Sequence, residues 1–187
     1  MNMKHGVFLI LLLLFSSCAD LKKPEQLKSM DTLSLKLSES QGLKHELMDS
    51  VQLYLNKITT LDSLLKHTYS NDTLSYLTAQ TIDSFILLKE EFPALNSIIT
   101  TIDSAIILKR NSIECLSRDV KQGRGIQSKY AEFIAFEQAE VIKIDKQLTK
   151  SQLRLIQLIE SFNTLFPKLN DYLSSSMRRS GYTNENE

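Results

Sequence analysis

The chain has 187 residues, and its 22 lysines and arginines balance 22 aspartates and glutamates, so the formal net charge is zero. This length suits one domain, and the balanced charge lacks the general positive field on which nucleic-acid binding depends, so no nucleic-acid partner is expected. Only five glycines and three prolines are present. Because tight turns depend on these residues, their scarcity favours a few long helices.

The first residues have the composition of an export signal. Lys4 supplies a positive charge, Val7 to Phe15 form an unbroken apolar run, and two serines separate that run from Cys18. The run is about half as long as the ~20 residues that a membrane-spanning helix needs, and it matches the apolar core of a signal peptide. Residues 1–17 are therefore predicted to be a signal peptide.

The segment Phe15-Ser16-Ser17-Cys18 resembles the lipobox of bacterial lipoprotein precursors. The resemblance implies that Cys18 is acylated and becomes the first residue of the mature chain, which its lipid then holds at a membrane. In Gram-negative lipoproteins an aspartate directly after the cysteine often causes retention in the inner membrane, and Ala19 stands there instead. The resemblance therefore favours the outer membrane, with the body facing the periplasm.

Polar stretches without periodicity flank the rest of the chain. Residues 18–31 include Lys22, Lys23 and Pro24 and are predicted to be the lipidated cysteine followed by a flexible tether. Residues 177–187 are predicted to be a disordered tail. The body is thus predicted to span residues 32–176.

Within the body, apolar residues recur at alternating spacings of three and four in three segments, which indicates packed helices. The segments are roughly 32–66, 73–121 and 126–173. Their predicted seams include Leu43, Leu47, Val51, Tyr54, Ile58, Leu61 and Leu65, then Phe85, Leu88, Phe92, Leu95, Ile99, Ile102 and Ile106, then Ile134, Val141, Ile144, Leu148, Leu155, Leu158, Phe162, Leu165 and Leu169. Further apolar residues widen the third stripe, as is typical of a bundle.

Turn-forming residues separate these segments. A polar cluster at 69–72 ends the first, and Gly123 and Gly125 allow a reversal after the second. Pro93 predicts a kink within the second, because proline lacks the backbone donor that a helix interior uses. The prediction is an all-α fold, an elongated antiparallel three-helix bundle, with a four-helix bundle as the alternative if Pro93 forms a hairpin.

Two charged residues fall at seam positions, Lys109 in the second segment and Glu137 in the third. A buried carboxylate needs a partner, so these residues are predicted to form a buried polar pair that sets helix register or opens the bundle. Cys115 is the second cysteine, and with Cys18 acylated it has no partner for an intramolecular disulfide. It is predicted to be a small buried hydrophobe rather than a reactive thiol.

A short motif, aspartate followed by serine or threonine and a small apolar residue, recurs along the chain and resembles the acceptor motif of a general O-glycosylation system that modifies exported proteins. Thr32 and Thr73, expected at helix starts, are the candidate acceptors. The same recurrence also fits a solvated helix face that shares the phase of the core. The motif, if used, would concern export and not activity.

The sequence offers no support for catalysis. His45 and His67, the histidines outside the signal, lack a histidine or cysteine at metal-ligand spacing, so no metal or other cofactor is expected. Neither a phosphate-binding glycine loop nor a nucleophile elbow is present. The prediction is a non-enzymatic envelope lipoprotein that serves as a spacer or docks another envelope protein. The alternative is a periplasmic bundle that binds or senses a small ligand in a polar pocket at Lys109 and Glu137.

Overall fold

The computed structural model describes the backbone of residues 3–68 and 74–182 and the side chains of residues 22–68 and 74–178. Within these ranges it contains three long helices, α1 (Met3–Thr68), α2 (Tyr76–Gln122) and α3 (Tyr130–Tyr182), and no strand. One turn of 3₁₀ helix, Gln127–Lys129, leads into α3. The helices pack against one another as a three-helix bundle, which confirms the predicted fold class.

Helix α2 continues through Pro93, so the four-helix alternative is wrong. Proline removes one backbone hydrogen bond from a helix interior. The heptad phase is nevertheless the same on both sides, and Leu88, Phe92, Leu95 and Ile99 are all buried. Burying these four side chains contributes about 1.5–3 kcal/mol each, which together exceeds the roughly 3 kcal/mol that a proline costs in a helix interior.

The chain divides into two compact units. Unit 1 contains the start of α1 up to Gly42 and residues 102–147, and unit 2 contains residues 43–101 and the chain from Leu148 onward. Each unit draws its apolar core from all three helices. The core of unit 1 includes Met30, Leu33, Leu37, Ile102, Ile106, Ile113, Val120, Tyr130, Ile134, Val141 and Ile144, and that of unit 2 includes Leu47, Val51, Ile58, Leu61, Phe85, Leu88, Phe92, Leu95, Ile99, Leu148, Leu155, Phe162 and Leu169.

An aromatic cluster joins the three helices within unit 2. The Tyr54 ring of α1 stacks on Phe92 of α2 at a centroid distance of 5.8 Å and meets Phe162 of α3 edge-on at 5.3 Å. Phe166 stacks on Phe162 in turn, at 5.6 Å. Aromatic pairs in these geometries contribute roughly 0.5–1.5 kcal/mol beyond their buried area. The cluster therefore fixes α1, α2 and α3 against one another at the level of Pro93.

The helical body begins earlier than predicted, so the prediction of a flexible tether is wrong for residues 22–31. Residues 22–31 belong to α1, and Met30 is only 1% exposed, in the core of unit 1. The reason is that Met30, Leu33 and Leu37 continue the three-and-four spacing back from the predicted seam, while lysine, glutamate and glutamine, which are good helix formers, predominate before them and α1 continues through Pro24. At the other end α3 continues to Tyr182, and the rest of the predicted tail lies outside the described residues.

The turn between α2 and α3 depends on two glycines with positive φ, Gly123 at 65° and Gly125 at 80°. The amide of Arg124 donates to the carbonyl oxygen of Asp119 at 3.0 Å, which ends α2. The buried Tyr130 then ties the turn down, because its hydroxyl donates to the same Asp119 oxygen at 3.1 Å and also contacts the Arg124 carbonyl oxygen. The reversal is thus held by hydrogen bonds at both ends.

Candidate functional site

Unit 1 contains a partly buried polar site between α2 and α3. Lys109 Nζ of α2 donates to Glu137 Oε2 of α3 at 3.0 Å, and the two side chains are 19% and 8% exposed. Ser112, one turn after Lys109, donates from Oγ to Glu137 Oε1 at 2.5 Å. Both carboxylate oxygens therefore have donors, as a buried carboxylate requires. The structure brings together the two charged residues of the predicted seam.

An aromatic ring covers the lysine of this site. Lys109 Nζ lies 4.8 Å from the centroid of the Phe136 ring, which precedes Glu137 on α3. A cation over an aromatic face gains electrostatic energy, about 0.5–1 kcal/mol where the ring is exposed. Lys109 is thus fixed by a carboxylate and by a ring, both supplied by the same turn of α3.

A second polar contact lies one residue further along α2. The guanidinium of Arg110 donates to Gln41 Oε1 of α1, and both residues are only partly exposed. Ser40, next to Gln41, is buried. Since Lys109, Arg110 and Ser112 occupy one turn of α2, that turn makes polar contacts to both neighbouring helices. Polar contacts in an apolar seam restrict helix register, because sliding leaves them without partners.

The polar groups of this site are bonded to one another, because Lys109 and Ser112 each donate to one oxygen of Glu137. Among the described residues, no three histidine, cysteine, aspartate or glutamate side chains lie close enough together to hold a metal ion. The arrangement can align α2 with α3 and present Phe136 to solvent.

Unit 2 contains a more exposed ionic contact, in which two lysines bind one aspartate. Asp62 Oδ2 of α1 accepts from Lys89 of α2 at 2.8 Å and from Lys66, one turn on, at 2.9 Å. The hydrogen bond from Lys89 lowers the pKa of the Asp62 carboxyl below 3.8; burial partly opposes this, and Lys66 adds to it. Because the Lys66 side chain is 70% exposed and that of Lys89 is 40% exposed, this contact lies near the surface, where it steadies the α1–α2 pair.

Two openings in unit 2 are shallow. A groove of about 600 Å³ runs between α2 and α3, with Leu87, Leu88, Leu158 and Leu165 among its lining residues. An ion pair between Glu91 and Arg154 crosses it. A second depression, of about 540 Å³, lies over the exposed face of α1 near residue 60. Neither has the enclosed apolar form that small-ligand sites favour.

The remaining predicted site residues lie apart from this polar site. Cys18 falls within α1, in the part whose side chains are outside the description, and Thr73 lies outside the described residues altogether. Thr32 is exposed in the interior of α1 instead of at a helix start, and its hydroxyl donates to the Lys28 carbonyl oxygen at 2.9 Å. An acceptor hydroxyl at Thr32 would therefore first have to leave an intrahelical hydrogen bond.

Cys115 is exposed, so the prediction of a buried cysteine is wrong. The seam of α2 passes through Ile113 and Leu116, and Cys115 lies between them on the outer side of the helix. The heptad phase therefore predicts that the Cys115 side chain is exposed. Burial was inferred from the average behaviour of free cysteine, which the helix phase overrides at this residue.

The sequence reading missed a buried lysine at Lys44, which is 4% exposed. It assigned Leu43 to the seam of the first helix. Stepping back from Leu47 by threes and fours gives Lys44, Ser40, Leu37 and Leu33, and all four are buried. The heptad phase alone therefore predicts that Lys44 is buried, although a charged residue is unusual at a seam position.

No helix within the described part of the chain is both long and apolar enough to cross a bilayer. No family model, curated protein or solved structure matches the chain.

Proposed function

We propose that this protein is a lipoprotein of the bacterial cell envelope, anchored through Cys18, whose helical bundle acts without catalysis as a spacer or as a docking surface for another envelope protein. The observation that carries the proposal is the order of features at the start of the chain: a positive residue, a nine-residue apolar run, two serines and a cysteine. The mature chain would lie on the outer membrane and face the periplasm.

The polar site of unit 1 supports a non-catalytic role. Catalysis needs a nucleophile or an acid–base group held ready toward a substrate. Glu137 instead has both oxygens engaged by Ser112 and Lys109. The alternative function, binding or sensing a small ligand there, requires Lys109 and Glu137 to separate, and their mutual contact makes it the weaker proposal.

Two exposed aromatic side chains on unit 1, Phe133 and Phe136, form an apolar patch that supports protein docking. Phe133 and Phe136 lie one turn apart on α3. They are 41% and 59% exposed. Exposed aromatic rings are enriched in protein interfaces because they bury a large area at little entropic cost. The patch is where another envelope protein would bind.

Replacing Cys18 with serine tests the anchor. We expect wild-type protein to remain with membranes through detergent-free washing and to show the added mass of lipid on the mature chain. Cys18→Ser should show neither the lipid mass nor processing at residue 18, and Cys115→Ser, the matched control, should behave like wild type. An unmodified thiol at Cys18 in the isolated protein would end the lipoprotein proposal.

A photo-crosslinking amino acid at residue 136 tests the docking surface in intact cells. Leu153 is the matched control, since it lies on the same helix and is equally exposed, at 59%. We expect a discrete crosslinked product from position 136 that Phe133→Ser weakens. Identical products from positions 136 and 153, or none from 136, would refute the patch as the docking site while leaving the anchor untouched.

A further inference from the structure

The turn between α2 and α3 is the most uniformly exposed segment of the described chain. All nine residues from Lys121 to Lys129 are exposed, and they are followed by the buried Tyr130. We call these nine residues the basic turn. Its charges are Lys121, Arg124 and Lys129, and no acidic residue occurs between positions 120 and 131. The segment has a net charge of three in a chain whose total is zero.

The basic turn also presents an apolar side chain at its tip. Ile126 is 60% exposed, between Arg124 and Lys129. The backbone around it turns through the positive-φ glycines at 123 and 125, and hydrogen bonds from the Arg124 amide and the Tyr130 hydroxyl tie that turn to the end of α2. An ordered turn loses little entropy on binding, so its charges and its isoleucine can act together. Positive charge around an exposed aliphatic side chain is the combination that suits an anionic lipid surface.

The place of this turn within unit 1 supports a lipid partner. Gln41 and Arg110 join α1 to α2. From that contact α2 runs twelve residues forward to Gln122, and α1 runs twelve residues back to Ser29. Because neighbouring helices joined by a short turn are antiparallel, the basic turn lies near the level of Ser29. It is thus at the end of unit 1 from which α1 leads back to Cys18.

The distance from the anchor is short. Cys18 and Ser29 are eleven positions apart on α1, which corresponds to about 16 Å of helix. A bundle that leans toward the membrane would bring the basic turn to the phosphate level while the lipid stays in place. The described residues before Met30 add three lysines, Lys22, Lys23 and Lys28, against one glutamate. Attraction between these charges and an anionic leaflet acts within about 8 Å at physiological salt.

We propose that the basic turn, Lys121 to Lys129, is a second membrane contact, which binds anionic phospholipid through Lys121, Arg124 and Lys129 and inserts Ile126 among the headgroups. This inference rests on the proposed lipid anchor at Cys18. A second contact would orient the helical body relative to the membrane, because a body attached at a single point can rotate about that point. The chemistry required of the partner is a negatively charged phosphate surface.

A fluorescent probe within the turn tests the proposal on the full chain. Ser128→Cys in a Cys115→Ser background provides one thiol for an environment-sensitive dye, and the protein is reconstituted into vesicles of phosphatidylcholine with or without phosphatidylglycerol. We expect dye emission to shift to the blue and to be quenched by lipid-borne quenchers only when phosphatidylglycerol is present. High salt should reverse the effect, since it screens exposed charges.

Two charge-matched variants make the test specific. Lys121→Gln, Arg124→Gln and Lys129→Gln together should weaken the association of the turn with the anionic surface, as read from the blue shift, by at least about tenfold, since each basic residue near such a surface contributes roughly fivefold. Lys146→Gln, Lys150→Gln and Lys168→Gln remove the same charge from exposed positions outside the turn and should leave the shift intact. An equal shift with and without phosphatidylglycerol, an equal loss in both variants, or no shift would overturn the proposal.

The labelled protein also distinguishes a failure of this proposal from a failure of the proposed lipid anchor. If Cys18 is acylated, each chain carries one dye, whereas a free thiol at Cys18 takes up a second dye that intact mass reveals. The dye at residue 128 reports contact between the turn and lipid whether or not Cys18 is acylated. If Cys18 carries a free thiol, Cys18→Ser prevents it from being labelled. The anchor can therefore fail while the turn still binds, and the turn can fail while the anchor holds.

Discussion

Lys109 and Glu137 form an ion pair, 3.0 Å between Nζ and Oε2, at positions that the heptad phase assigns to the hydrophobic seam. Burying two charges costs solvation energy that their attraction does little more than offset, so such a pair contributes more to alignment than to net stability. Ser112 and the Phe136 ring complete its environment. Removing one partner of the pair should therefore change the free energy of unfolding differently from removing both.

Removing one partner of this pair should be more damaging than removing both. Lys109→Met leaves the Glu137 carboxylate buried with a single donor, and we expect a loss of about 1–3 kcal/mol in the free energy of unfolding. Lys109→Met combined with Glu137→Leu should recover most of that loss. Urea unfolding followed by circular dichroism measures both, and a double variant no more stable than Lys109→Met would contradict this account.

Asp62 should make stability depend on pH at the acid end. Its unfolded carboxyl titrates near 3.8, and Lys89 lowers the pKa in the folded state. The stabilisation is therefore fully present above pH 3.8 and is lost as the pH falls through the lower folded pKa. Because the lysines are exposed, its size should be below about 1 kcal/mol.

Asp62→Asn provides the measurement. The variant should unfold at lower urea concentration than wild type at neutral pH, and the difference should shrink as the pH falls below 3.8 and through the lowered pKa of folded Asp62, because protonation neutralises the carboxyl. Asp83→Asn, on the exposed surface of α2, is the matched control and should change the urea midpoint little. A difference that does not shrink with falling pH would show that Asp62 acts by something other than its charge.

Two glycine-to-alanine substitutions should have opposite signs. Gly42 lies in the interior of α1, and a methyl group added there would meet only open space, so Gly42→Ala should stabilise by about 0.5–1 kcal/mol through helix propensity. Gly125 also has open space, but its φ of 80° disfavours any side chain, so Gly125→Ala should destabilise by about 1 kcal/mol. Thermal unfolding measures both, and shifts of the same sign would contradict the backbone assignment.

Truncation within the aromatic cluster should be the most costly change in unit 2. Phe92→Ala removes a side chain that is fully buried against Tyr54, and we expect a loss of about 3–5 kcal/mol. Phe166→Ala is the control, because Phe166 is 43% exposed and stacks only at the edge of the cluster. It should cost clearly less in urea unfolding. Equal losses would mean that burial does not govern this cluster.

The heptad phase predicted the helices and most of the core because side-chain direction in a helix follows directly from residue spacing. It also selected Lys109 and Glu137, since a charge at a seam position is conspicuous. The same phase placed Lys44 in the core and Cys115 outside it. The prediction for Cys115 is wrong because it rested on the average burial of free cysteine, and Lys44 was absent from the predicted seam because that seam began at Leu43.

The start of the bundle was harder to predict. Residues 22–29 are mostly polar, and polar composition alone does not distinguish a solvated helix from a flexible tether. What decides the matter is packing at a distance in sequence: Met30 is buried in a core that α2 and α3 complete. The partners of a single apolar residue cannot be read from its own neighbourhood, so the boundary emerges only from the folded chain.

The uninterrupted seam of α2 through Pro93 restricts how this protein can change in length. Seven residues make two turns of a supercoiled helix, so adding or removing seven returns every later side chain to its former direction, whereas other numbers turn the downstream core residues toward water. Such a change must also be matched at the same level of the facing helices. Viable relatives should therefore be longer or shorter by whole heptads, gained or lost in all three helices together.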